Sequence, residues 1–233
     1  WTVTIGTSVT SIGQGAFSDC ETLRGVTIPD GVTSIGPNAF RDCGSLESVT
    51  IGDGVTSIGD NTFYNCRTLE TVTIGNSVTS IGEYAFYFCL RLSSVSIPDG
   101  VSNIGDATFR SCSSLVALTI PNSVTSIEAE AFYGCTSLTS ITIPDGVTSI
   151  GEATFVRCSR LASILIPESV TSIGRLTFEG CRSLTAVTFL GDAPKAGEEV
   201  FYEATPTIYR KPEAKGWGDT FAGRPVKLIS EKP

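Results

Sequence analysis

V-T-I-P-D-G-V-T-S-I-G-P-N-A-F-R-D-C-G-S-L-E-S, residues 26–48, decides how the rest of this chain must be read. Its Cys43 recurs as Cys20, Cys66, Cys89, Cys112, Cys135, Cys158 and Cys181, always 23 residues from the next. Phe40 keeps the same interval from Phe17 to Phe201, and Leu46 keeps it from Leu23 to Leu184. A fixed period of this length is the mark of a solenoid, in which each unit buries its apolar face only against its neighbours. Eight complete units run from Val3 to Ala186. A degenerate ninth begins at Val187, with Ala204 in the cysteine slot and Thr207 in the leucine slot.

Within a unit the local chemistry is legible. Leu23, Val26 and Ile28 alternate with polar residues as a short half-buried strand does. P-D-G, or a relative such as G-N-S, supplies a tight turn, and V-T-S-I supplies a second extended segment. The Gly36 column marks a sharp bend, and Glu128 in that column implies a corner that tolerates negative φ. Ala39, Phe40 and Cys43 have the spacing of one inward face of a short helical or 3-10 turn. Nine coils at one strand spacing each give a body about 43 Å long.

The repeated pattern L-x-x-V-x-I-P-x-x-V-x-x-I-G-x-x-A-F-x-x-C resembles the BspA-type leucine-rich repeat family over nearly the whole chain. The resemblance implies a curved, right-handed repeat solenoid with short parallel strands, its sheet on the concave side. It also implies an exported protein, extracellular or on a bacterial cell surface, that serves adhesion or host contact. The tail from Pro206 to Ser230 is similar to the segment that closes such arrays. Residues 1–186 are therefore expected to be the repeat domain, and residues 187–233 a degenerate repeat with a C-terminal cap.

Composition narrows the function classes. A net charge of −8 repels phosphate backbones and speaks against a nucleic-acid partner. No stretch approaches the roughly 20 apolar residues of a spanning helix, so membrane insertion is not expected. There is no leader and no Met, so Trp1 is not the translated first residue, and the sequence reads as a piece of something longer. Histidine is absent, which removes the commonest general base and metal ligand. No pair of carboxylates stands apart as an acid/base couple, and no Ser or Cys has a base to activate it. The chain reads as non-enzymatic, with no cofactor.

The cysteines are expected to be packing residues. Equivalent side chains in stacked coils lie about 4.8 Å apart, within disulfide range, but they point the same way, and bridging them would strain the bond. Buried, reduced thiols fit better, since free cysteine is among the most buried residue types. The neighbour is C-x-x-L and not C-x-x-C, which gives zinc no support. Two threonine files, Thr27 to Thr188 and Thr33 to Thr171, read as the solvated face of a sheet, with ordered ice binding as the sharper alternative. Acids such as Asp60 and Glu83 before the Phe, and Arg41 or Arg110 after it, read as complements to a short helix dipole.

One unit departs from the rest. In E-Y-A-F-Y-F-C-L-R-L, residues 83–92, Ala85, Phe86, Cys89 and Leu92 are core columns. Tyr84, Tyr87, Phe88 and Leu90 occupy slots that elsewhere hold mostly polar or small residues, and Tyr64 lies one coil away from Tyr87. These five are the candidate contact patch for a protein or glycan ligand. The alternatives are drift on a tolerant surface, or packing against an absent domain. The chain ends suggest a rival role. Trp1, Val3 and Ile5 open a strand with no coil before it, and Trp217 and Phe221 could take part in end-to-end contact. Head-to-tail contact would propagate as fibres, whereas excision from a longer array would leave the same edge.

Overall fold

The structure, a computed structural model, describes residues 1–232. It is a parallel β-solenoid of about nine turns with almost no helix. Each coil has three walls. The first is a ladder of short strands, beginning with Thr2–Thr4, Gly25–Ile28, Ser48–Ile51, Thr71–Thr73 and Ser94–Val95. Their register places Val26 beside Val49 and Val49 beside Val72, one period apart. The ladder resumes at Ala117–Thr119 with Ser140–Thr142, and again from Ser163–Ile166 through Ala186–Phe189 and Thr207–Arg210 to Arg224–Leu228. The second wall carries two-residue strands, such as Ser34–Ile35 beside Ser57–Ile58. Strict alternation forms the first wall: Val49 and Ile51 are buried, while Ser48 and Thr50 are exposed.

The third wall differs from the expected short helical turn. It is a run of consecutive tight turns, with bonds from Ala39 N–H to Gly36 O (3.3 Å) and from Arg41 N–H to Asn38 O (3.1 Å). Two residues per coil, Asn38 and Asp42 in the second, take left-handed φ of 58° and stop the turn from continuing as a helix. The freed amides donate to the following coil instead: Asn38 to Asp60 O at 2.8 Å, Phe40 to Thr62 O at 2.9 Å, and Asp42 to Tyr64 O at 2.8 Å. With no helix there is no dipole for the acids to complement. Asp60 and Asp106 instead accept the amides of Glu83 and Ala129 on their Oδ1, each at 3.0 Å.

Side-chain ladders fill the interior. Nine phenylalanines, Phe17 to Phe201, stack face to face with centroids 5.1–5.8 Å apart and ring planes within 13° of parallel. Beside them all eight cysteines are free, and seven are buried. Each buried thiol donates to the carbonyl of the Phe 26 residues earlier, as Cys66 does to Phe40 O at 3.1 Å and Cys112 to Phe86 O at 3.2 Å. A small apolar side chain with a weak donor fits this slot, because alanine would leave that carbonyl without the thiol. Where the alanine column holds Thr, the hydroxyl is also satisfied: Thr62 Oγ1 donates to Gly59 O at 2.7 Å.

Burial pushes the Cys135 and Cys181 thiols up to about 12, and raises Cys89 and Cys158 as well. Raised folded values mean that the thiols favour the folded state below the ordinary thiol range, and that this contribution fades as pH rises above about 9. Titration with a thiol reagent at pH 8 should find Cys20, the half-buried member, reacting fast in the native protein. The other seven should appear only on unfolding. Rapid reaction of several thiols, or none after denaturation, would contradict the packing role.

Candidate functional site

Tyr84, Tyr87, Phe88, Leu90 and Tyr64 fall together on the turn wall, all half-buried, while Ala85, Phe86, Cys89 and Leu92 point into the core. Tyr84 and Phe88 occupy the two left-handed slots, with φ of 55° and 60°. In other coils those slots hold Gly15, Asn38 and Asn61, or Asp19, Asp42 and Gly134, residues for which this backbone is cheap, but also Ala107, Glu130, Ala153, Leu176, Ser111 and Arg157, for which it is not. An aromatic side chain there costs roughly 1–2 kcal/mol. Both are held by inter-coil bonds of 2.9 Å, from Tyr84 N–H to Asp106 O and from Phe88 N–H to Arg110 O. Burial, then the carboxylates of Asp106, Glu130 and Glu83, push the Tyr84 phenol upward.

The patch belongs to a longer column. Arg41 lies over the Tyr64 ring at 4.4 Å, and Tyr64 stacks on Tyr87 at 4.7 Å with the planes 1° apart. Arg110 sits between Tyr87 and Tyr133, 5.7 and 4.0 Å from their centroids. Phe88 and Tyr84 flank Tyr87 at 4.9 and 5.8 Å, tilted. The guanidinium–phenol contacts in this column are favourable cation–π packing, worth about 0.5–2 kcal/mol each. They also consume ring faces, so the column presents ring edges and hydroxyls. Arg110 pairs with Glu130, and its Nε is enclosed without a hydrogen-bond partner. Arg41, Arg110 and Tyr133 were missed as site residues, although they stand at the same 23-residue interval as Tyr64 and Tyr87.

The outward face of the first ladder is different in kind. Between Ser93 and Thr188 its exposed positions carry hydroxyls or small side chains, interrupted by Val116 and Leu165 at 49% and 45% exposure. Thr188 departs from its file: it is covered, and Lys232 Nζ donates to its Oγ1 at 3.2 Å. In the second file hydroxyls are spent within the solenoid, Thr33 on Thr10 O (3.1 Å) and Thr56 on Thr33 O (3.2 Å). Only the first file, from Thr27 to Thr142, keeps its hydroxyls outward and unspent, so the two files do not form one hydroxyl lattice.

The end residues lie at opposite ends of the array. Trp1 is 84% exposed, with Val3 and Ile5 half-buried beneath it. Trp217 and Phe221 pack on Phe189 at 5.0 and 5.4 Å and on each other at 5.1 Å, and Trp217 Nε1 donates to Gly191 O. Thr220–Phe221 pairs antiparallel with Arg224–Leu228. A cavity of about 570 Å³ lies nearby and is lined by Glu168, Asp192, Lys195 and Lys211 among others. Among the described residues no three His, Cys, Asp or Glu side chains are placed to hold a metal ion, and no helix is long and apolar enough to cross a membrane.

Comparison with known proteins agrees with this geometry. The family described as the BspA type leucine rich repeat region matches residues 1–116 and 79–208, in six copies. A leucine rich cell surface protein from Faecalibacterium prausnitzii A2-165 is 32% identical, with a TM-score of 0.71 over 89% of this chain and 68% of its own. A leucine-rich repeat protein from Bacteroides ovatus ATCC 8483 shares the fold at 24% identity, with a TM-score of 0.70 over 98% of this chain and 69% of its own. A leucine rich repeat protein from T. pallidum gives 0.56 at 25% identity, over 83% and 82% of the two chains. No curated protein matches the chain.

Proposed function

The chain belongs to the BspA-type leucine-rich repeat family, and from that membership we propose that it is a non-enzymatic binding module of a bacterial cell surface. It engages a protein or glycan through the solenoid surface, with Tyr64, Tyr84, Tyr87, Phe88 and Leu90 as the contact patch. The surface location draws on the Faecalibacterium relative, itself described as a cell surface protein. The observation that carries the contact reading is the outward aromatic cluster, in which Tyr64, Tyr84 and Phe88 all pack around the Tyr87 ring. Tyr and Arg are also the side chains that dominate contact energetics.

The test compares the parent with a Tyr87→Ser/Phe88→Asp variant against a panel of matrix proteins and glycans. Folding stability should stay within about 1 kcal/mol of the parent, because relief of strain at Phe88 offsets the lost Tyr64 stack. Binding to the panel member that the parent captures should fall at least tenfold. Unchanged binding would move the contact to the sheet face around Val116 and Leu165. End-to-end assembly through Trp1, Val3, Ile5, Trp217 and Phe221 has less support, because Trp217 and Phe221 already spend their faces on Phe189 and each other. Regular filaments by microscopy at high concentration would restore it.

A further inference from the structure

We propose that the solenoid is two blocks joined by a hinge between its fourth and fifth coils, opening at the wall of Ser80–Ile81 and Asn103–Ile104 and pivoting on the turn wall. In this second wall two backbone bonds join successive coils. Thr56 N–H donates to Thr33 O (2.9 Å), Thr79 to Thr56 O (2.9 Å), Thr125 to Ser102 O (2.9 Å) and Thr171 to Thr148 O (2.9 Å). The corner residues do likewise: Gly59 to Ile35 O (2.8 Å), Gly82 to Ile58 O (2.9 Å), Glu128 to Ile104 O (2.9 Å) and Gly151 to Ile127 O (2.9 Å). At one junction both bonds are missing. Among the described residues neither Ser102 N–H nor Gly105 N–H finds a carbonyl on the coil before it. The sheet divides at the same place, into four strands ending at Ser80–Ile81 and five beginning at Asn103–Ile104.

Three further observations locate the gap. A Cβ built on Gly59, Gly82, Gly151 or Gly174 would stand 2.4–2.6 Å from an atom of the preceding coil, but on Gly105 the nearest such atom is 3.6 Å away. The opening is a cleft of about 380 Å³ lined by Ser80, Gly82, Glu83, Asn103 and Gly105. On the first wall the equivalent contact has stretched, with Ser93 N–H to Glu70 O at 3.5 Å. The sequence supplies the cause. V-S-N-I-G, residues 101–105, replaces V-T-S-I-G. Ser102 lacks the threonine methyl, and Asn103 is a poor strand former in a ladder only two residues wide.

The turn wall stays closed across the same junction. Tyr84, Phe86 and Phe88 each donate to the next coil at 2.9 Å, and the Phe86 and Phe109 rings remain parallel at 5.4 Å. That wall is therefore the pivot. Arg110, across the junction, leans toward Tyr133 and Glu130 and away from Tyr87. The first ladder also divides after Ser94–Val95 and after Ser140–Thr142, but the second wall runs unbroken across those junctions. Each coil of a solenoid contacts only its neighbours, so the junction that combines two lost second-wall bonds with a widened gap is where the array divides into separately cooperative units.

Hydrogen exchange on the intact, isotopically labelled chain tests this. The Ser102 and Gly105 amides should exchange at least a hundredfold faster than those of Thr79, Gly82, Thr125 and Glu128. With rising sub-denaturing urea, the strand amides before Ile81 and after Asn103 should open as two groups with different urea dependence. The Ser102→Thr/Asn103→Ser variant, which restores the common unit, should slow exchange at both positions and merge the groups. Equal protection at all six amides, or a single opening unit in the parent, would overturn the hinge.

Discussion

Phe109→Ala should lower stability by about 3–5 kcal/mol, among the largest costs of any single truncation in the array. The ring is fully buried and lies between Phe86 at 5.4 Å and Phe132 at 5.8 Å, with its plane within 4° of both. Removing it takes away the apolar area of one ring and leaves a void that its neighbours cannot close. Phe86 and Phe109 are fixed by amide bonds to Thr108 O and Ala131 O, both 2.9 Å, so collapse would require the coils themselves to approach. They are already at strand spacing and cannot. The loss also falls on both interfaces of one coil, and in a one-dimensional array no distant contact compensates. Urea denaturation followed by circular dichroism gives the number. A loss below about 1 kcal/mol would mean that the stack relaxes, and that the ladder is alignment without energetic consequence.

The period made the solenoid, its core columns and the buried thiols legible, because every unit repeats the same burial problem and the sequence answers it eight times. What the thiols do was not legible. Their acceptor is a carbonyl 26 residues earlier, and only the stacking of coils makes those atoms neighbours. The left-handed slots left a signal in Asn38, Asp42, Asn61 and Asn65. Arg157 and Leu176 in equivalent slots obscured it, because the inter-coil bonds hold this backbone whatever side chain is present. The candidate patch was legible as an outward aromatic cluster. Its continuation through Arg41, Arg110 and Tyr133 was hidden by reading each arginine against its own turn when its partner lies on the next coil. The open junction was invisible because Ser and Asn differ little from Thr and Ser in polarity; the difference lies in shape and strand preference.

Gly151→Ala and Gly105→Ala should therefore have opposite consequences, although both glycines hold the same place in the repeat. Neither has the positive φ that would itself demand glycine. At Gly151 an added Cβ would stand 2.4 Å from Glu128 C and 2.6 Å from Ala129 N, and backbone has no rotamer by which to yield. Relief means lifting one coil from the next and stretching the 2.9 Å bond from Gly151 N–H to Ile127 O. Overpacking of this kind costs about 1–3 kcal/mol, and a weakened buried hydrogen bond adds on the order of 1 kcal/mol. At Gly105 the nearest atoms are Glu83 Cγ and Thr108 Oγ1, both 3.6 Å away, which is ordinary contact. Alanine there meets no obstacle and reduces the freedom of the unfolded chain, a gain of about 0.4–1 kcal/mol. Glu128 already shows that a side chain can stand in this column. Denaturation midpoints of the two variants, measured side by side, separate the explanations. Equal losses at both positions would mean that the backbone, and not the approach of the preceding coil, selects glycine, and that the fourth and fifth coils are as close as the rest.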